Sequence, residues 1–445
     1  MNSQNIDLDF KKNITVTNSI IRIIGVFEHP NTKHFNKDLF ENGFIRENND
    51  ESKKFLKNYW YPEFRDLMFL QKEDSSAKIW KKELDEKISL NKINPTNKSV
   101  IRTVNFNVDS VELYIFNNNL NFFTIEVSID DSKLQDYSDL TDIIRNFDSE
   151  VNLNSSIRNK WVNWIEDNCL QGIKIEDVEV DEYSGSKFKL FTIYETNEDA
   201  LDSKTKDELL YDLGCVSPIG SAGGNENFSP DLKYYYHLLD NKISVFKNYE
   251  ILPLFDSFTC LGSNFLDKDI HSFKRKTWSE TYFRIVLHNL FLKYNLFRYN
   301  SKMNNNSSVQ LRNEFEDYLN TYDLSHIAYN FLPNLIAEKH RKSLHIDAEL
   351  EKFQVRINRI SQDVLEKEQK RSNLLLTFVG IVTSLGSAKP ILSMIESFRV
   401  GNHINLGLFY IVLSILLIGI SIPLFHFLFP ENIKSLKRKW KKKRK

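Results

Sequence analysis

An uncharged run of 26 residues, 404–429, constrains this chain more than any other feature of its sequence. The run reads INLGLFYIVLSILLIGISIPLFHFLF and contains no Asp, Glu, Lys or Arg. At 1.5 Å per residue, a helix of this length spans about 39 Å, which exceeds the roughly 30 Å of bilayer hydrocarbon. The alternative, a helix buried in a soluble core, needs an unbroken apolar surface on every side. We therefore expect residues 404–429 to form a transmembrane helix.

A second uncharged run, residues 372–388, precedes the first and reads SNLLLTFVGIVTSLGSA. Seventeen residues span about 25 Å, the lower limit for crossing, so a re-entrant or interfacial helix is the alternative. Three basic residues directly precede this run and nine lie in 434–445, whereas the loop 389–403 has only two. The positive-inside rule then predicts two crossings of the cell inner (plasma) membrane, with both termini in the cytoplasm.

Charge is segregated along the 445 residues. Lys and Arg total 59 against 60 Asp and Glu, and nine of the basic residues lie in 434–445, so residues 1–433 carry a net charge of about −10. This balance excludes a generally basic nucleic-acid binder, and we expect no direct binding to nucleic acid. Cys169, Cys215 and Cys260 have no CxxC spacing, which indicates neither a zinc site nor a disulfide framework.

The first 276 residues predict an α/β domain. Runs rich in β-branched and aromatic residues predict strands, and they occupy 14–27, 111–116, 122–129, 187–194 and 243–246. The clearest pair is joined by Asn117-Asn118-Asn119, which predicts a hairpin, and Ser138 is a candidate cap for the helix that follows. Residues 31–100 show no clear pattern.

Helical patterns dominate after residue 277, and one helix is expected to run from a stalk into the first membrane span. Its apolar positions recur every three or four residues, as in a heptad seam, at Ile346, Leu350, Phe353, Ile357, Ile360 and Val364. Such a seam associates either with other copies of the chain or with its own domain.

The expected organisation is an α/β cytoplasmic domain, an α-helical stalk and two C-terminal transmembrane helices. In chain order it comprises 1–276 as the α/β sensing domain, 277–342 as a helical region, 343–371 as the stalk helix, 372–388 as the first transmembrane helix, 389–403 as an outer loop, 404–429 as the second transmembrane helix and 430–445 as a basic cytoplasmic tail.

Small and polar residues recur along one side of the first span. Their spacing of 4, 3, 4 and 3 places them on one helical face, and they are Asn373, Thr377, Gly380, Ser384 and Ser387. A pore needs such a face toward water. Small residues also permit close packing between membrane helices, so packing is the alternative.

Three basic residues, Lys367, Lys370 and Arg371, precede the first span. In a ring of copies they would form a basic collar at the cytoplasmic mouth, which repels cations unless acids screen it. Ordinary positive-inside anchoring is the alternative.

Signals for a ligand site or for catalysis are weak. The Gly-rich segment 218–224 (PIGSAGG) lacks GxxxxGK[ST] and GxGxxG, which favours a plain loop over a phosphate site. Five acids within 176–182 form either a divalent-ion site or a solvated edge, and they are Glu176, Asp177, Glu179, Asp181 and Glu182. We find no HExxH and no catalytic constellation, so we do not expect an enzyme.

The order of these parts resembles the CorA-like superfamily of oligomeric divalent-cation channels. The likeness includes ELYIFNNNLNFFTIEVSI at 112–129, similar to the family's hairpin before a helix, and the basic ending KRKWKKKRK at 437–445. The resemblance implies a ring of four or five copies, commonly five, whose first spans line the pore. Magnesium-transporting members end that span with Gly-Met-Asn, whereas this chain has LGSAK at 385–389, so the selectivity residues do not carry over.

The resemblance implies a membrane channel, for cations, that is gated by a ligand in the cytoplasmic domain. The ligand classes left open are a divalent cation such as Mg²⁺ and a nucleotide-type ligand, and no covalent cofactor is expected. One alternative is a membrane effector of a type III CRISPR antiviral system, triggered by a nucleotide second messenger. Another is a membrane-anchored sensor or scaffold without conductance. The expected partners are the lipid bilayer, further copies of the chain, and a small molecule or ion.

Overall fold

The structure, a computed structural model, describes most of the chain up to residue 386. The described residues are 3–29, 32–47, 57–69, 77–94, 96–97, 99–130, 133–151, 159–171, 173, 187–197, 201–224, 229–269, 271–305 and 309–386. The chain forms two compact units, Met1–Gln354 and Val355–Lys445.

A mixed β-sheet is the centre of the first unit. Its strands within the described ranges are β1 (Val16–Glu28), β2 (Ile45–Arg46), β3 (Lys78–Ile93), β4 (Val100–Ile115), β5 (Leu120–Ser128), β6 (Glu150–Val151), β7 (Asn159–Lys160), β8 (Lys189–Thr196), β9 (Ile243–Phe246), β10 (Tyr249–Pro253) and β11 (Ser257–Gly262). The order across the sheet is β7-β6-β3-β4-β5-β1-β8-β11-β10-β9, with β2 paired to β3. The described pairs are antiparallel except β8 with β11.

Helices flank the sheet or follow it. In the described part of the chain they are α1 (Ser3–Lys12), α2 (Lys33–Glu41), α3 (Pro62–Met68), α4 (Leu134–Ile144), α5 (Trp161–Trp164), α6 (Ser203–Cys215), α7 (Leu232–Leu239), α8 (Phe273–Lys276), α9 (Phe283–Asn305), α10 (Val309–Tyr322), α11 (Phe331–Ser343) and α12 (Ile346–Gly386). Two π-helical turns, Ile165–Cys169 and Thr277–Tyr282, follow α5 and precede α9.

The sheet is covered on both faces. Successive side chains of a strand point to opposite faces, so Phe191 and Tyr194 of β8 lie on different sides. The ring of Phe191 meets Phe283 of α9 at 5.1 Å, whereas Tyr194 meets Tyr137 of α4 at 5.7 Å. The sheet is therefore the middle layer of a helix–sheet–helix arrangement. This explains the run IIRIIGVF in β1, which is apolar apart from Arg22, because a strand buried on both faces need not alternate.

Loop chemistry fixes several of these elements. Asn119 adopts a left-handed conformation with φ 68° in the predicted hairpin turn between β4 and β5. The Asp202 carboxylate caps α6 by accepting the Thr205 N–H at 3.0 Å. The predicted Ser138 cap is wrong, because α4 already begins at Leu134, whose N–H donates to the Ile14 carbonyl at 2.8 Å. Ser138 instead lies buried within α4.

Helix α12 begins directly after a left-handed turn at His345, with φ 54°, and runs without interruption to Gly386. Its first apolar positions pack against their own domain. Ile346, Leu350 and Phe353 are buried, and the Phe353 ring lies 4.0 Å from that of Phe315 in α10. The first half of the predicted seam therefore takes the alternative in which the helix lies on its own unit.

Candidate functional site

The predicted polar stripe lies on the last turns of α12. Asn373, Thr377 and Gly380 are exposed there, and the Thr377 hydroxyl donates to the Asn373 carbonyl at 2.8 Å. A hydroxyl bonded back to its own helix can sit in an apolar medium without an unsatisfied donor. Ser384 falls within α12, but its side chain lies outside the described residues, as does Ser387 altogether.

Apolar side chains around the stripe are exposed as well. Leu375 is 50% exposed, Leu376 is 67% exposed, and Val379 and Ile381 are exposed too. These positions occupy several sides of the helix, so no single apolar face accounts for them. Exposed apolar residues on several sides of one helix are typical of a segment that contacts lipid or another protein.

The predicted collar residues Lys367, Lys370 and Arg371 lie on the exposed surface of α12. The Lys370 ammonium group lies 3.8 Å from the Glu366 carboxylate, one turn away. One carboxylate thus accompanies the basic residues of this segment.

The predicted membrane segments lie largely beyond the described residues. The predicted second span 404–429, the outer loop 389–403 and the basic tail 430–445 all lie outside them. Across the ranges that the structure does describe, no helix has both the length and the apolar composition needed to cross a membrane.

The Gly-rich segment 218–224 is bound by a carboxylate of its own unit. Asp212, fully buried in α6, accepts the Gly220 N–H and the Ala222 N–H, each at 2.8 Å. Burial raises the pKa of Asp212 to about 7, and the two N–H donors oppose that rise. Since both amides are already occupied, this loop offers them to no phosphate.

No metal site was found in the part of the chain that the structure covers. None of its His, Cys, Asp and Glu residues form a group of three or more that could hold a metal ion. The predicted acidic run at 176–182 lies outside the described residues.

A buried charge network lies between the sheet and α9. The Arg22 guanidinium pairs with Glu126 at 2.6 Å and with Glu112 at 3.2 Å, and the Tyr114 hydroxyl donates to Glu112 at 2.8 Å. Burial acts to raise the pKa of Glu112, but Arg22, the Tyr114 hydroxyl and more distant cations together hold it below its ordinary value. A lone Arg within the apolar run of β1 was a signal for this network in the sequence.

Two buried lysines, Lys189 at the start of β8 and Lys293 on α9, both lie close to the Phe255 ring. Lys189 donates to Asp256 at 2.6 Å, and Lys293 donates to Glu349 at 2.5 Å. The Phe255 ring lies 4.0 Å from the Lys189 ammonium. Burial lowers the pKa of both lysines. Because each cation has its own carboxylate, the cluster is neutral and stabilises the fold.

An open cavity of about 410 Å³ is lined by the loop that joins α10 to α11, by α11 and by the first turn of α12. Its lining is mixed polar and apolar and comprises Asp323, Leu324, Ser325, His326, Ile327, Asn334, Ala337, Glu338, Arg341 and Asp347. Sequence reasoning missed this site, because its residues come from a loop and two helices and share no local motif.

Comparisons with protein-family models, with curated proteins and with solved structures find no match to this chain.

Proposed function

We propose that this chain is a CorA-like oligomeric membrane channel, for cations, that is gated by a ligand bound to its cytoplasmic domain. One observation carries the proposal: α12 continues as one helix from a segment buried in the first unit into an uncharged segment with exposed apolar residues. A helix of this kind can transmit a change at its buried end along its length.

The polar stripe supports a water-filled route along this helix. Thr377 and Gly380 lie on the same side as Asn373, and side chains of the Leu and Val type lie on the others. In a ring of four or five copies, the stripes would face a common axis, and the apolar sides would face lipid or the second span. The small residues fit a narrow pore, because they leave room beside the backbone.

The second candidate function is a membrane effector of a type III CRISPR system, triggered by a nucleotide second messenger. The observation that favours it is the sequence LGSAK at 385–389, which replaces the Gly-Met-Asn of magnesium-transporting members. A pore without that selectivity motif would suit membrane permeabilisation better than magnesium uptake. Type III CRISPR genes beside the gene for this chain would favour this candidate.

The first experiment measures copy number and conductance of the full chain. Mass photometry in detergent should give four or five copies. Liposomes that contain the purified protein should then release a trapped cation. A monomer or dimer would contradict the ring, and a ring without flux would leave a membrane-anchored sensor or scaffold.

The second experiment tests the stripe with a matched pair of substitutions. Thr377→Leu should reduce the flux, because it places an apolar side chain on the proposed water-facing side. Ser372→Leu makes the same kind of change about 140° around the helix and should leave flux near the wild-type value. Equal flux from both variants would exclude this face as the pore lining.

A further inference from the structure

The cavity beside the α10–α11 loop, α11 and the first turn of α12 has the size of a small-molecule site. Its volume of about 410 Å³ falls within the range of ~300–1,000 Å³ that is typical of ligand pockets. It lies wholly within the first unit and includes Asp347, in the first turn of α12.

The cavity carries a net negative charge. The lining includes three carboxylates and one guanidinium, that of Arg341. Counting His326 as uncharged, the formal charge is −2, and the carboxylates are those of Asp323, Glu338 and Asp347. Arg341 is already bound twice, since it donates to Asp323 at 2.7 Å and pairs with Asp347. An anionic ligand would therefore have to displace a carboxylate and would meet two more.

Two of the three carboxylates retain capacity for a cation. Among the described residues, Glu338 has no ion pair or hydrogen bond, and it is exposed at the cavity. Asp347 is 67% exposed, although it pairs with Arg341, whose own side chain is only 16% exposed. A cation entering from solvent can thus reach both groups without displacing Arg341.

The acids do not converge on one point. Asp323 follows α10, Glu338 lies on α11 and Asp347 on α12. They form no group that could hold a metal ion, within the residues the structure covers. Leu324, Ile327 and Ala337 supply apolar lining. A fitting ligand therefore has separated positive charges joined by an apolar chain.

We propose that this cavity binds an aliphatic polyamine. Its ammonium groups would pair with Glu338 and Asp347, and its methylene chain would lie along the apolar lining. The inference goes beyond the proposed channel and does not require conductance. In addition, an occupant would contact the first turn of α12, and would thus lie at the start of the long helix.

The test is calorimetric titration of the full chain in detergent with spermidine at low ionic strength. Glu338→Gln removes a carboxylate that has no partner among the residues that the structure describes, so the protein should fold normally and bind spermidine about tenfold more weakly. Glu351→Gln removes an exposed acid of α12 outside the cavity and should leave the affinity unchanged. Ser325→Lys places a positive charge at the exposed lining and should abolish binding.

A second comparison tests the need for two separated charges. Butane-1,4-diamine should bind more tightly than butylamine, which has the same chain and one ammonium group. Equal affinity for these two, equal affinity of Glu338→Gln and Glu351→Gln, or no spermidine binding would overturn the proposal. Mg²⁺ alone binding with the same dependence on Glu338 would also overturn it. A preparation without flux that still binds spermidine would reject the channel and retain this site.

Discussion

The buried network around Arg22 yields the sharpest prediction for the first unit. Replacing Arg22 by Met keeps much of the side-chain volume but removes the only cation that is bonded directly to both Glu112 and Glu126 in the described structure. The two carboxylates would then stay in a layer between the sheet and α9, where Phe283 lies 4.8 Å from the guanidinium carbon. Buried carboxylates without a cation destabilise the fold.

The expected loss of stability follows from the two carboxylates that remain buried without their cation. Breaking a buried ion pair by removing one partner costs about 3–5 kcal/mol. Unfolding entropy of ~2.1 cal/mol/K per residue gives roughly 0.7 kcal/mol/K for the unit of residues 1–354. Arg22→Met should therefore lower the thermal midpoint by about 4–7 °C.

The loss should also depend on pH. In the wild type, burial acts to raise the pKa of Glu112, but Arg22 together with Tyr114 and nearby cations holds it below its ordinary value. This group therefore contributes stability that is present above its unfolded pKa and lost as pH falls through the folded value. Without Arg22, the largest influence that opposes burial is gone, so the pKa of Glu112 rises relative to the wild type. The variant should then lose more stability at pH 8 than at pH 5.

Fluorescence-detected thermal unfolding of the full chain in detergent measures both effects. Arg102→Met is the control, because Arg102 pairs with Asp139 near the surface, where ion pairs contribute about 0–1 kcal/mol. A loss for Arg22→Met no larger than that of the control, or one that is the same at pH 5 and pH 8, would refute the reasoning.

Two further substitutions test the hydrogen bonds that Asp212 accepts from the Gly-rich segment 218–224 and the packing of Phe353 near the start of α12. Burial raises the pKa of Asp212 to about 7, so this group reduces stability as pH rises from about 4 to about 7, and Asp212→Asn should remove that dependence. Unfolding midpoints of wild type and variant at pH 5 and pH 7.5 check this, and parallel pH profiles would contradict it. Phe353→Ala should cost about 3–5 kcal/mol, since Phe353 is fully buried. Exposed Val355→Ala should cost less than about 0.5 kcal/mol in the same thermal assay, and similar losses would contradict the packing.

Strand prediction succeeded where the buried residues of a strand form a recognisable apolar pattern in the sequence. The five predicted strand segments coincide with β1, parts of β4 and β5, β8 and β9. The 16-residue strand β3, Lys78–Ile93, was missed because its charged residues hide the alternation. Its register also shifts between Glu83 and Glu86, where Asp85 is left-handed with φ 53°. Such a bulge is set by pairing with β4, which local sequence does not record.

Of the candidate sites too, some could be predicted from local sequence and others could not. The polar stripe could be read from spacing alone, because residues three and four apart share one side of a helix. The cavity could not, because Asp323, Glu338 and Arg341 approach one another only after α10 and α11 fold together. The hydrogen bonds from the Gly-rich segment to Asp212 could not be predicted from the sequence either. The Asp212 carboxylate lies eight residues before Gly220, and only the fold brings them within hydrogen-bond distance.

The division of the seam on α12 limits where copies of the chain can meet. Leu350 is buried against its own unit, so it is not available for a neighbour, whereas Val364 is partly exposed and Leu365 is exposed. If copies associate along this helix, the contact must use positions beyond the buried segment. Val364→Cys should then form disulfide-linked dimers on mild oxidation of the full chain, and Leu350→Cys should not.

The native cysteines should contribute little disulfide cross-linking in this assay. Cys169 and Cys260 are buried, and burial raises the pKa of Cys215 to about 12, so few thiolates form from any of them at pH 8. Non-reducing electrophoresis of wild type, Val364→Cys and Leu350→Cys would therefore report the new thiol alone. Cross-linking of Leu350→Cys as strong as that of Val364→Cys would mean that the buried packing at the start of α12 opens in the assembly. No cross-linking at Val364 would place contacts between copies elsewhere than on this side of the helix.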